Sequence, residues 1–156
     1  MDKTKFLDQL IEALREEALH AMKASQDAAD YATDEESRAE SKWDTQGLEA
    51  SYLAAGQASQ AKQLSEAVDA LQSNREILLG QKADVSLGAL FTCDLGGYNE
   101  IFFFSNVAGG RVIPMDEKEV TVITAQSLLA ARLRGLKTGD SFFLPNGKSG
   151  IILSIE

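Results

Sequence analysis

The chain has little of what most folds use for punctuation or cross-linking. Of its 156 residues one is cysteine, one is histidine and two are proline, and both prolines fall in the second half. A lone cysteine excludes an intramolecular disulfide framework, and Cys93 reads as a small buried hydrophobe in a strand. The lone histidine, His20, has no second histidine or cysteine to complete a transition-metal site, so a surface or inter-helix position is expected. No N-terminal charged-then-apolar signal is visible and no run of about 18 apolar residues exists; the expectation is a soluble, cytoplasmic protein. Basic charge is scarce too. The formal net charge is −9, which disfavours a binder of duplex DNA, for which a basic face is needed, and suits a partner with a positive cavity or a bound metal ion.

The acidic excess is concentrated. Residues 1–78 hold 8 Lys+Arg and 16 Asp+Glu, whereas residues 79–156 hold 7 and 8. The first half reads as helix almost throughout. From about Thr4, as cap, to Ala32, apolar residues recur at Leu7, Leu10, Ile11, Leu14, Ala18, Ala21, Met22, Ser25 and Ala28, mostly three or four apart. No proline interrupts this stretch, and roughly 28 helical residues span about 42 Å. A second helix is expected from Thr33 or Asp34 to about Leu79, with Thr33-x-x-Glu36 as a capping box. Its stripe carries Trp43, Gly47, Ala50, Ala54, Gln57, Ala61, Leu64, Val68, Leu71 and Leu78. Gly47 and Gly56 each cost roughly 1 kcal/mol inside a helix, so both are expected at close contacts. Two such helices with almost no loop between them must pair antiparallel. Large residues then meet near the base and alanines towards a tip near 32–37, where Asp34, Glu35 and Glu36 cluster.

The texture changes at Gly80. Leu87–Leu95 and Tyr98–Ser105 read as strands around a Gly96-Gly97 turn. Arg111–Met115 and Glu119–Thr124 are shorter extended segments. Ala125–Arg134 is an amphipathic helix capped by Thr124 and stopped by Gly135. Ser141–Leu144 and Ser149–Ile155 form a terminal hairpin around Pro145-Asn146-Gly147. The expected fold is α+β: a helical hairpin at 1–79 and a small domain at 80–156, a curved antiparallel sheet holding one helix. Phe102, Phe103 and Phe104 cannot share one face of a strand, so at least one is expected on an outer, docking face. Arg132, Arg134 and Lys137 make the one compact basic cluster. Gly96-Gly97 and Gly109-Gly110 lack the spacing of phosphate loops and read as turns.

A helical hairpin with an acidic tip, followed by a small α+β domain, resembles the Gre family of bacterial transcript cleavage factors over nearly the whole chain. The family's tip pattern, Asp-Leu-Ser-Glu-Asn-Ala-Glu-Tyr, lines up with Asp34-Glu35-Glu36-Ser37-Arg38-Ala39-Glu40-Ser41, matching at Asp34, Ala39 and Glu40. Val120 to Gly135 is similar to the family's strand, Ser-Pro turn and glycine-ended helix, with Ser127-Leu128 at the turn, and Asp140 to Glu156 is similar to its closing hairpin. The resemblance implies an FKBP-like second domain. It implies a hairpin that enters the secondary channel of RNA polymerase while the second domain docks on the rim, through Ser127, Arg132, Arg134 and Lys137. There the tip acids Asp34, Glu35 and Glu36 would address the polymerase's Mg²⁺ near the nascent RNA 3′ end, as oxygen ligands suit. The protein itself would then be no enzyme and hold no cofactor of its own. Ser37 stands where the family has its second acid, which leaves open whether the chain stimulates cleavage or is a cleavage-deficient modulator or inhibitor. Two readings compete: a coiled-coil adaptor that binds another helical protein through the hairpin sides, and a prolyl isomerase suggested by fold analogy alone.

Overall fold

The computed structural model describes the backbone of residues 1–38 and 46–156 and the side chains of 1–34 and 46–156. By contacts the chain divides into two units, one formed by Met1–Leu10 with Ala70–Glu156 and the other by Ile11–Asp69. The sheet-bearing unit thus includes the first ten residues, which the sequence placed with the helical hairpin.

Helix α1 runs Lys3–Arg38. Asp2, not Thr4, caps it: its carboxylate accepts from the Lys5 N–H at 2.9 Å, satisfying one of the orphan donors of the first turn. The helix passes through Thr33 and Asp34 without a break, so the capping box expected there does not form. The Thr33 hydroxyl donates back to the Ala29 carbonyl at 3.0 Å, the in-helix alternative open to threonine. Nothing in the sequence forces an end at this point, since the first glycine is Gly47 and the first proline Pro114.

Helix α2 spans Gln46–Ser73, and a short helix α3, Arg75–Leu79, follows after a break at Asn74. The Asn74 side chain donates to the Ala70 carbonyl at 2.8 Å, which closes the end of α2 with a local bond. Within the Ile11–Asp69 unit, α1 and α2 pair antiparallel: Ser25 Oγ donates to Ala54 O at 2.8 Å and the Tyr31 hydroxyl to Gln46 Oε1 at 3.2 Å. The buried side chains shrink along both helices as expected, from Leu14 through Ala21 to Ala28 and Ala32, and from Val68 and Leu64 to Ala61. Gly47 is buried. Gly56 is not: it is exposed, and a Cβ there would meet nothing within 4 Å. Gly56→Ala is therefore expected to stabilise the protein by about 0.5–1 kcal/mol through the restored helix propensity, read as a raised denaturant midpoint with an unchanged slope.

The other unit is built on a six-stranded sheet of order β3-β4-β2-β1-β6-β5. Its strands are β1 Leu90–Leu95, β2 Asn99–Phe104, β3 Val112–Met115, β4 Lys118–Ile123, β5 Ser141–Phe143 and β6 Ser149–Ile155. Gly96 and Gly97, at φ 67° and 97°, make the two-residue turn between β1 and β2, the positive-φ geometry that suits a right-handed hairpin. The sheet is mixed rather than purely antiparallel. β2 and β4 pair parallel, with Ile101 opposite Val120 and Phe103 opposite Val122, because β4 folds back past β3 to lie between it and β2.

Both faces of the sheet are covered near β2. One face holds Phe91, Cys93, Phe102, Phe104, Phe142 and Ile152, which pack in one cluster with Ala130 and Leu133 of helix α4, Leu128–Leu133. On the other, Phe103 packs against Phe6 of α1 in a tilted pair, with ring centroids 4.9 Å and planes 54° apart. All three phenylalanines are buried, so the expectation of an outward-facing one fails: the first turns of α1 occupy the face it would have shown. Lys3 fastens this contact. Its buried ammonium donates to the carbonyls of Gly80, at 2.7 Å, and Gly88, at 3.0 Å. Burial, and secondarily the Lys82 charge, lower its pKa, while the two carbonyls take up two of its three N–H donors.

Cys93 is fully buried in β1, and burial pushes its thiol up to about 12 from an ordinary 9.0. The thiolate is the reactive species, so Cys93 is expected to resist thiol reagents at pH 8 in the native protein and to react at once in denaturant. The linkage sign is that of a raised pKa. Between pH 9 and about 12 the unfolded thiol ionises while the native one does not, so this group's contribution to stability is intact below pH 9 and is lost as the pH rises through that window.

Candidate functional site

The acidic segment lies at the end of α1, not at the start of α2. Asp34 is exposed, and positions 34 to 38 are helical. Acids at a helix N-terminus gain from the macrodipole, but Asp34 lies far from the N-terminus of α1 and does not occupy such a position. The side chains of Glu35, Glu36 and Ser37 lie outside the described residues; by helical spacing position 37, a serine, follows Asp34 on one face of α1. On the N-terminal side the same face continues through Asp30 and Asp27, both exposed, with Gln26 Nε2 donating to Asp30 Oδ1 at 2.8 Å. This run at 27, 30 and 34 was readable from its 3–4 spacing, but a tip placed at 32–37 hid it. Residues 39–45, with Glu40 and Trp43, lie outside the described residues. Among the described residues no group of three histidine, cysteine or acidic side chains could hold a metal ion, and His20 is exposed on α1.

The second expected site divides into structural and exposed parts. Ser127, rather than Thr124, caps α4: its hydroxyl accepts from the N–H groups of Leu129 and Ala130 at 3.2 and 3.4 Å. Arg132, one helical turn after Leu128, donates to the Phe143 carbonyl at 3.0 Å. That bond satisfies an outward-pointing group of edge strand β5 and blunts the edge against strand addition. Arg134 and Lys137 are exposed, and the Lys137 backbone N–H donates to Asp140 Oδ2 at 2.8 Å. What the sequence did not single out is the apolar surface beside them. Leu128 is 80% exposed and Phe143 66%. For Phe143 the signal was present: Phe142 and Phe143 are adjacent in a strand, so one must point away from the core.

Fold and surface together define an α+β protein that joins an antiparallel helix pair to a mixed-sheet unit, with exposed carboxylates at the far end of α1 and a basic and apolar surface around α4 and β5. Over most of its length the chain is similar to solved structures of GreA factor homolog 1. For the Thermus thermophilus protein the identity is 19%, 97% of this chain and 93% of that one are covered, and the TM-score is 0.36. For the Thermus aquaticus protein the values are 17%, 93%, 92% and 0.36. A further structure, of the transcription factor Gfh1, gives 19%, 97%, 92% and 0.39. Superpositions at these scores carry no weight for function. No family model and no curated protein matches the chain. No helix among the described residues is long and apolar enough to cross a membrane.

Proposed function

We propose that the protein is a regulator of bacterial RNA polymerase that places the α1–α2 hairpin in the secondary channel and acts on the polymerase's own active site, catalysing nothing alone. The observation that carries this reading is the position of Asp34. It is an exposed carboxylate in the part of the 36-residue helix α1 remote from its N-terminus, at the position where the family's tip motif has its aspartate. Within the Ile11–Asp69 unit that helix runs on for roughly 28 residues, about 42 Å at 1.5 Å per residue. The resemblance of Asp34, Ala39 and Glu40 to the family's tip motif says what such a carboxylate would meet. A hard oxygen donor suits Mg²⁺, and a shared Mg²⁺ would supply the Lewis acidity for RNA hydrolysis. With Ser37 on Asp34's face, one acid stands where the family uses two. That favours occupation of the channel with weak or no stimulation of cleavage. The exposed Leu128, Phe143, Arg134 and Lys137 supply a docking surface for the sheet-bearing unit.

The test is binding of the full chain to bacterial core RNA polymerase, followed by RNA cleavage and elongation assays on stalled complexes. Binding is expected, with elongation or cleavage altered. Absence of binding overturns the proposal. Binding to another helical protein that survives deletion of residues 30–44 would instead establish the adaptor reading.

A further inference from the structure

The side chains between the paired helices thin out towards the acidic end of α1. Leu14, Leu64 and Val68 are buried lower in the hairpin, but beyond Ser25 the buried positions of α1 are Ala28 and Ala32, and at the start of α2 the buried residue is Gly47. Such residues let two helix backbones approach but offer no knob to fill a hole. Loosely specified packing loses its unique arrangement before it loses stability. The rotation of α1 about its axis then falls to directional bonds, the role polar groups play in fixing register. Ser25 supplies one, to the Ala54 carbonyl at 2.8 Å. Closer to the acids, the Tyr31 hydroxyl donates to Gln46 Oε1 at 3.2 Å, at the first residue of α2. Tyr31 lies roughly 100° around the helix from the buried Ala32, so it reaches α2 from one flank of the contact. On the other flank Thr33 bonds back to the Ala29 carbonyl of its own helix. A tyrosine ring suits this task, because it is long and has few rotamers to freeze.

Resting on the polymerase reading above, we propose that Tyr31 is a positioning residue for Asp34. Asp34 follows it by three positions within one helical turn, so the bond to Gln46 fixes the direction in which that carboxylate projects. Asp34 meets the metal; Tyr31 touches neither metal nor RNA and acts only through the orientation of the last turns of α1. The size of its effect follows from its exposure. Tyr31 is 45% exposed, so its hydroxyl can also bond water. The bond to Gln46 then biases the orientation by roughly threefold to tenfold, the net worth of a single hydrogen bond. That is small against the stability of a fold. It is large for a metal ligand, whose oxygen must lie within about 0.2 Å of its proper distance.

The experiment titrates the full chain into stalled complexes of bacterial core RNA polymerase and reads two quantities. One is the concentration that gives half the effect on RNA cleavage or elongation; the other is the effect at saturation. Tyr31→Phe keeps the ring and loses the hydroxyl. It is expected to leave the half-effect concentration within about twofold and to cut the saturating effect by about threefold to tenfold. Gln46→Leu removes the acceptor and is expected to do the same, with the double variant no worse than either alone, the signature of a shared bond. Gln46→Glu keeps an acceptor oxygen and is expected to behave like the parent. In an Asp34→Ala background, Tyr31→Phe is expected to add nothing. Thermal unfolding of each variant establishes that the fold is kept. A full saturating effect with Tyr31→Phe overturns the proposal and leaves the polymerase reading standing. A raised half-effect concentration with an unchanged saturating effect would make Tyr31 a contact with the partner, and losses that add in the double variant would mean the two side chains act apart; either overturns it. If the parent does not bind, the polymerase reading fails and this role falls with it.

Discussion

Replacing Gly88 by alanine is expected to cost about 3–5 kcal/mol, a large share of the 5–15 kcal/mol typical of a domain. Two costs act together. Gly88 sits at φ +88°, a conformation that costs an L-residue roughly 1–2 kcal/mol. The added Cβ would also lie 2.7 Å from the Cα and carbonyl oxygen of Leu78 and 2.8 Å from the Ile77 carbonyl. Those atoms are backbone in the last turn of α3 and cannot rotate away, so the loop must move, at an overpacking cost of about 1–3 kcal/mol. The same loop presents the Gly88 carbonyl to Lys3, and displacing it disturbs a buried charge-assisted bond. Gly110→Ala separates the two costs. Gly110 has φ +85° but open space where a Cβ would go, so only the conformational penalty of roughly 1–2 kcal/mol is expected. Urea denaturation of the two variants checks the difference. Equal losses would mean that the contact with Leu78 is not the limiting one.

Gly88 also shows where sequence reading stops. Its neighbour Leu87 was expected to open the first strand, but β1 begins at Leu90 because the chain first wraps over the end of α3. What alternation and turn chemistry govern was legible: the β1–β2 hairpin at Gly96-Gly97, the closing hairpin around Pro145-Asn146-Gly147, the size gradient along the paired helices and the division between helical and sheet-forming halves. What depends on distant partners was not. Phe6 covering Phe103 joins residues 97 apart in sequence, and no local pattern announces it. The parallel pairing of β2 with β4 arises from the fold-back of β3, although adjacent strands more often pair antiparallel. The end of α1 was misplaced for a different reason. Thr33 and Asp34 serve equally as cap and as ordinary helix residues, and only the Thr33 bond to Ala29 decides between them. That error mattered for function. With Thr33 as a cap, the acids beside it would have complemented a helix N-terminus; inside α1, Asp34 has no such position.

At Asp34 the expected result is a loss of effect without a loss of binding. Asp34→Ala should leave the affinity for core polymerase within about threefold, because an exposed side chain at the end of a long helix contributes little contact area, as is common across most interface positions. Its effect on RNA hydrolysis or elongation in stalled complexes should fall by about 10–100-fold, the usual loss when a group that tunes a metal site is removed. Glu35→Ala should do much less, since position 35 lies roughly 100° around the helix. Ser37→Glu provides the complementary gain. It puts a second carboxylate at i, i+3 from Asp34 and is expected to raise RNA cleavage above that of the parent. Asp34→Ala combined with Ser37→Glu should fall below Ser37→Glu alone, because it again leaves a single carboxylate on that face. If Asp34→Ala keeps the full effect, the carboxylates are incidental to the hairpin's action.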